Sequence, residues 1–126
     1  MDFKWNGADK MGFVEASKTD ELKDGQMKMT VIDGHEILVA KVADKYYASD
    51  NRCPHMGGDL SKGKLEGTVI TCPRHHSQFD LVDGHNIRWT DWTGVQLAIG
   101  KLLKSPRNLK TYDVKIDEDI VMVDIK

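Results

Sequence analysis

The sequence predicts an all-β protein, broken by one short irregular or helical insertion near residues 88–104. Three observations predict it. Apolar and polar residues alternate along several strand-length segments, Asp-Gly dipeptides close those segments, and a helical period is confined to a single stretch.

Taken in order, Phe13-Val14-Glu15-Ala16 opens as an extended segment, and Ser17 to Lys23 allows one helical turn before Asp24-Gly25 ends it. Met27, Met29 and Val31 alternate with Lys28 and Thr30, the pattern of a half-buried strand. Asp33-Gly34 accepts the positive φ angles of a tight hairpin turn. The return strand, Ile37 to Val42, is apolar except at Lys41 and therefore belongs inside a sheet. Ala43-Asp44 turns the chain into Tyr46-Tyr47, which completes an antiparallel meander. Thr68 to Thr71 and Phe79 to Val82 read as further strands, with Asp83-Gly84 as the next turn. Tyr112, Val114 and Ile116 alternate with Asp113 and Lys115, and after the polar turn Asp117-Glu118-Asp119 the segment Ile120 to Ile125 closes a final hairpin. Between Arg88 and Lys104 the residues Trp89, Trp92, Val95, Ile99, Leu102 and Leu103 recur at helical spacing, although Gly94 and Gly100 weaken a helix there.

Length and charge set the class. A chain of 126 residues with no low-complexity linker reads as a single domain, 1–126. Eighteen Lys and Arg against twenty Asp and Glu leave a net charge of −2, too close to neutral for nucleic acid or an anionic membrane to be the main partner. No stretch approaches the ~20 apolar residues that a membrane span requires. The opening residues Met1-Asp2-Phe3-Lys4-Trp5-Asn6 lack the apolar run of a secretory signal, so a cytoplasmic, monomeric protein is expected.

The chemistry lies in two segments. Cys53-Pro54-His55-Met56-Gly57-Gly58-Asp59-Leu60 carries Cys-x-His, and after sixteen residues beyond His55 comes Cys72-Pro73-Arg74-His75-His76-Ser77-Gln78-Phe79-Asp80, which carries Cys-x-x-His. Two cysteines are too few for a disulfide-stapled framework. Each has a histidine close by, so the two segments present two thiolates and two imidazoles. Zinc takes that donor set too, but structural zinc sites usually separate paired ligands by about two to four residues. Cys53-x-His55 is tighter. No acid–base or nucleophile constellation stands out, and no enzymatic activity of the chain's own is expected. His35 and His85 follow Asp-Gly turns and read as solvated, while His76 reads as an exposed neighbour of the ligand segment. Trp89 and Trp92 read as core or lid residues.

These two segments, with Asp50-Asn51-Arg52 before the first and Gly84 beyond the second, resemble the cluster-binding loops of soluble Rieske iron–sulfur ferredoxins. The resemblance implies a Rieske-type antiparallel β-sandwich with a small cluster-binding subdomain at residues 50–82. It implies one 2Fe–2S cluster per chain, held by Cys53 and Cys72 on one iron and by His55 and His75 on the other. Replacing two thiolates by neutral imidazoles makes such a cluster less negative and raises its potential. Around these ligands, Gly57 and Gly58 would let backbone N–H groups approach the sulfides, and Pro54 and Pro73 would stiffen the loops. High-potential relatives carry a loop disulfide where this chain has Gly58 and Arg74, and a Tyr where it has Phe79. Ser77 matches the Ser whose hydroxyl bonds sulfur in those relatives, whereas His76 replaces the usual Gly. The expected potential is therefore low within the Rieske range. The implied function is that of a one-electron carrier between a reductase and an acceptor such as an oxygenase. A tightly bound small subunit of a reductase, similar to those of nitrite reductases, a redox sensor and a zinc-stabilised interaction module stay open as alternatives.

Overall fold

The computed structural model describes residues 12–54, 57–74, 76–89 and 107–125. Among these residues eleven strands form three antiparallel sheets. The first consists of β1 (Phe13–Lys18), β11 (Ile120–Asp124) and β10 (Val114–Asp117), in the order β1-β11-β10. The second consists of β2 (Met27–Ile32), β3 (His35–Val42), β4 (Lys45–Asp50) and β9 (Thr111–Tyr112), in that order. The third runs β5 (Lys64–Glu66), β6 (Val69–Thr71), β7 (Gln78–Asp80) and β8 (Asn86–Arg88). The all-β expectation holds.

The meander forms as its turns dictate. Asp33 and Gly34 both have positive φ (51° and 80°), as do Ala43 and Asp44 (50° and 67°), which is the twist that a two-residue hairpin needs. Strand β3 lies between β2 and β4, with Ile37, Leu38, Val39 and Ala40 fully buried. Its two faces feed different cores. Ile37 and Val39 pack with Ala16, Leu22, Ile32, Ala48, Val121 and Val123. Leu38 and Ala40 pack with Leu60, Ile70, Phe79, Leu81, Trp89, Leu109 and both cysteines. Tyr112 ties β9 to β4 through a hydrogen bond from its hydroxyl to Asp50.

Several elements differ from expectation. Met29 and Val31 are exposed and Ile32 is buried, so β2 turns its apolar alternation outward. Met29 and Val31 lie opposite Leu38 and Glu36, but β2 is an edge strand and only Met27 reaches the core below that face. The expected strand at 79–82 ends at Asp80, Leu81 and Val82 belonging to the following turn. Ser17 stays in β1, and the helical turn shrinks to Thr19–Glu21. Apart from Arg88 in β8 and the buried Trp89, the insertion expected near 88–104 lies outside the described residues, as does Trp92.

Candidate functional site

Two loops leave the sheets toward each other: residues 53–58, which follow β4, and residues 72–77, which join β6 to β7. They close by the same backbone rule. The Cys53 N–H donates to Gly58 O (2.8 Å) and Gly57 N–H to Cys53 O (2.8 Å). The Cys72 N–H donates to Ser77 O (2.8 Å) and His76 N–H to Cys72 O (3.1 Å). In each loop the fourth residue after the cysteine is left-handed, Gly57 at φ 75° and His76 at φ 61°. Glycine adopts that conformation without strain; a histidine there costs roughly 1 kcal/mol or more.

Both thiols are buried, 3% exposed at Cys53 and 2% at Cys72, and neither forms a disulfide. The loops touch at Gly58. A Cβ built on Gly58 would lie 2.5 Å from Cys72 Sγ and 3.1 Å from Arg74 Cγ. Gly58 and Arg74 thus face each other, and the aliphatic stem of Arg74 occupies the place where the disulfide of high-potential relatives was expected to be missing. Two buried thiols on apposed loops, one of them against a glycine with no side chain, fit a compact thiolate-held group. The expected partners His55 and His75 lie outside the described residues.

Two neighbours of the thiols are engaged within the chain. The Gly57 N–H donates to Cys53 O, and Gly57 shapes the loop by its positive φ. The buried Ser77 hydroxyl donates to Trp89 O, so its single proton goes to backbone and not to sulfur. Phe79 is fully buried beside the cysteines and offers no donor. Pro73, with Lys62, Gly63, Lys64, Thr71, Cys72 and His76, lines an open cleft of about 390 Å³, while Pro54 is half-buried. His35, His76 and His85 are exposed, and His85 Nδ1 lies 2.6 Å from Asp83 Oδ1.

The first loop is fastened by a polar network around the fully buried Asn51. Asn51 Nδ2 donates to Glu36 Oε1 (3.1 Å) and to Asp59 Oδ1 (2.9 Å), and Asn51 Oδ1 accepts from Ser61 N–H (2.9 Å). Hydrogen bonds from Arg52 and then Asn51 hold the Glu36 carboxyl below its ordinary range. The Ser61 hydroxyl, then Asn51, does the same for Asp59. Arg52 completes the network with Nη2 on Glu36 Oε2 (3.0 Å) and Nη1 on Gly57 O (3.2 Å). Across the site, Arg88 donates through Nε (3.1 Å) and Nη2 (3.0 Å) to His76 O. The sequence reading assigned neither arginine a role at the loops. A contact to a backbone carbonyl has no residue code, and only the spacing of each arginine from a loop tip hints at it.

Three short antiparallel sheets presenting two cysteine loops closed alike define a small cluster-binding β-protein. The model of the Rieske [2Fe-2S] domain matches residues 12–112, and the chain belongs to that family. Its cofactor is accordingly a Rieske-type 2Fe–2S cluster. The ferredoxin component of a naphthalene 1,2-dioxygenase system from Pseudomonas putida is 32% identical over 115 residues, 90% of this chain and 95% of that protein. The ferredoxin component of biphenyl 2,3-dioxygenase from Rhodococcus jostii (strain RHA1) is 27% identical, over 92% of this chain and 95% of that one. Among solved structures, the ferredoxin of carbazole 1,9a-dioxygenase from Nocardioides aromaticivorans IC177 superposes with a TM-score of 0.74 at 27% identity, covering 90% of this chain and 98% of that one. The protein is an electron carrier of the Rieske ferredoxin class rather than a catalytic enzyme. Among the described residues no helix is long and apolar enough to cross a membrane.

Proposed function

We propose that the protein takes one electron from a reductase and passes it to an oxygenase, with Cys53 and Cys72 on one iron of the cluster and His55 and His75 on the other. The observation that carries this reading is the apposition of the two loops, Cys72 Sγ lying against the backbone of Gly58. The cluster supplies reversible one-electron chemistry when bound. The chain's part is to keep the thiolates dry, to hold both loops in one conformation, and to leave the tips at the surface. The names of its relatives, ferredoxin components of dioxygenase systems, favour an oxygenase as acceptor. We place the carrier in the cytoplasm, as a single domain whose cluster-binding part covers residues 50–82.

The environment also favours a potential in the lower half of the Rieske range of roughly −150 to +300 mV, because Ser77 is engaged elsewhere and Phe79 cannot donate. Protein film voltammetry checks this, and a value near the top would refute the account of the surroundings. The ligand set is tested by EPR of anaerobically purified, dithionite-reduced protein with iron and acid-labile sulfide counted on the same sample. The expected result is two irons and two sulfides per chain with a rhombic signal of lower average g than all-cysteine clusters show. A signal typical of four cysteine ligands, or metal without sulfide, would overturn it.

A further inference from the structure

Resting on the reading of residues 53–58 and 72–77 as the cluster loops, we propose that Arg52 and Arg88 are paired positioning residues, each guanidinium holding the carbonyl of the left-handed residue at one loop tip. The two contacts are equivalent in the loops. Gly57 and His76 are each the fourth residue after the loop cysteine, each gives its N–H to that cysteine's carbonyl, and each has positive φ. The N–H of such a residue donates within the loop, and its carbonyl accepts from a donor outside it. In both loops that partner is an arginine, a residue whose planar fork loses little freedom on binding.

The two clamps differ in anchor and in charge. Arg52 also binds Glu36 of β3, which ties the first loop to the sheet of β2, β3, β4 and β9 and neutralises the guanidinium. Arg88 pairs with Gln78 across β7 and β8 and places two donors on the single His76 carbonyl. Among the described residues no carboxylate lies within ion-pair distance of Arg88. The second clamp therefore both fixes its loop and leaves a positive charge beside it. Together they fix the conformation of one loop that follows the second sheet and one that belongs to the third, through two side chains outside the ligand set.

Two variants remove a clamp without altering net charge: R88K, and the double variant E36Q/R52Q. R88Q removes clamp and charge together. Each is purified with its cluster and compared with the wild type by EPR line shape, midpoint potential and the rate of bleaching of visible absorption under air with a chelator. R88K and E36Q/R52Q are expected to broaden the EPR lines and to bleach about tenfold faster, the scale of one lost charge-assisted hydrogen bond. R88K keeps the midpoint potential, and R88Q lowers it. If R88K restores the line shape and lifetime that R88Q loses, the guanidinium matters only as a charge and the positioning role falls. If R88K and E36Q/R52Q match a wild type that holds its iron and sulfide, the inference alone is overturned. A wild type without iron and sulfide overturns the inference and the cluster reading together.

Discussion

A methyl group has no room at Gly58. The added Cβ of G58A would sit 2.5 Å from Cys72 Sγ, and although the Arg74 stem beside it can swing away, a sulfur held in the ligand set proposed above would not. Overpacking of this kind costs about 1–3 kcal/mol, and here it acts directly on the spacing of the loops. G58A is therefore expected to fold while losing most of its iron and sulfide, measured by metal and sulfide analysis against unchanged far-UV circular dichroism; full cluster occupancy would refute the close approach. The opposite change helps at His76. With φ at 61°, H76G relieves a left-handed histidine and is expected to stabilise the protein by about 1 kcal/mol in denaturant unfolding, whereas H76A keeps the strain. An H76G no more stable than H76A would sink that account. At this scale the sequence was most legible where residue types are rare. Two cysteines, each with a histidine close by, announce themselves, and the apposition of Gly58 and Arg74 follows from the family resemblance. The destination of the Ser77 hydroxyl was not legible, because Trp89 O is a backbone atom twelve residues away.

Strands of five to eight residues with a clear alternation or a two-residue turn were read correctly, as in β2, β3 and β11. The three-residue strands β5 and β8 were missed, unlike β6 and β7 of the same length, because Lys64-Leu65-Glu66 and Asn86-Ile87-Arg88 each carry a single apolar residue and show no pattern. The face of β2 was misread for another reason: alternation reports that two faces differ, but which face is covered depends on the neighbouring sheet. Nor could the hydrogen-bond network that joins the start of β3 to the first cysteine loop be read from composition. Its consequence appears in acid. Glu36 and Asp59 are held below their ordinary values of 4.5 and 3.8, so the unfolded chain binds more protons than the folded one through that range. Stability supplied by these carboxylates is then present above the ordinary values and is lost as the pH falls through the lowered ones. E36Q lacks the Glu36 part at every pH. Its unfolding midpoint should lie below that of the wild type near about pH 6, and the gap should narrow as the pH falls below the ordinary value of 4.5. A gap that stays constant across that interval would show that Glu36 acts by its shape and not its charge.

At the level of the whole molecule, β3 divides the interior into two cores, and both cysteines belong to only one of them. Cys53 and Cys72 pack with Leu60, Ile70, Phe79, Leu81, Trp89 and Leu109, the side chains that β6, β7 and the segments around them contribute. The second core joins β1, β11 and the outer face of β3 without either thiol. Binding free energy from a group held by those thiols enters folding through the first core. Its removal acts on the core that holds both thiols, while the pairing of β1 with β11 and of β2 with β3 keeps every partner. Stability in one chain need not be uniform, and a unit that loses its ligand opens first. Hydrogen exchange of the anaerobically prepared apoprotein is expected to show lost protection across residues 53–88, with β1, β3 and β11 still protected, and reconstitution with iron and sulfide should restore the first group. Because Leu38 and Ala40 point into the weakened core while Ile37 and Val39 point away from it, β3 marks the boundary along which protection should change. Uniform loss of protection in all three sheets would mean that the two cores fold as one cooperative unit and that the cluster stabilises the entire chain.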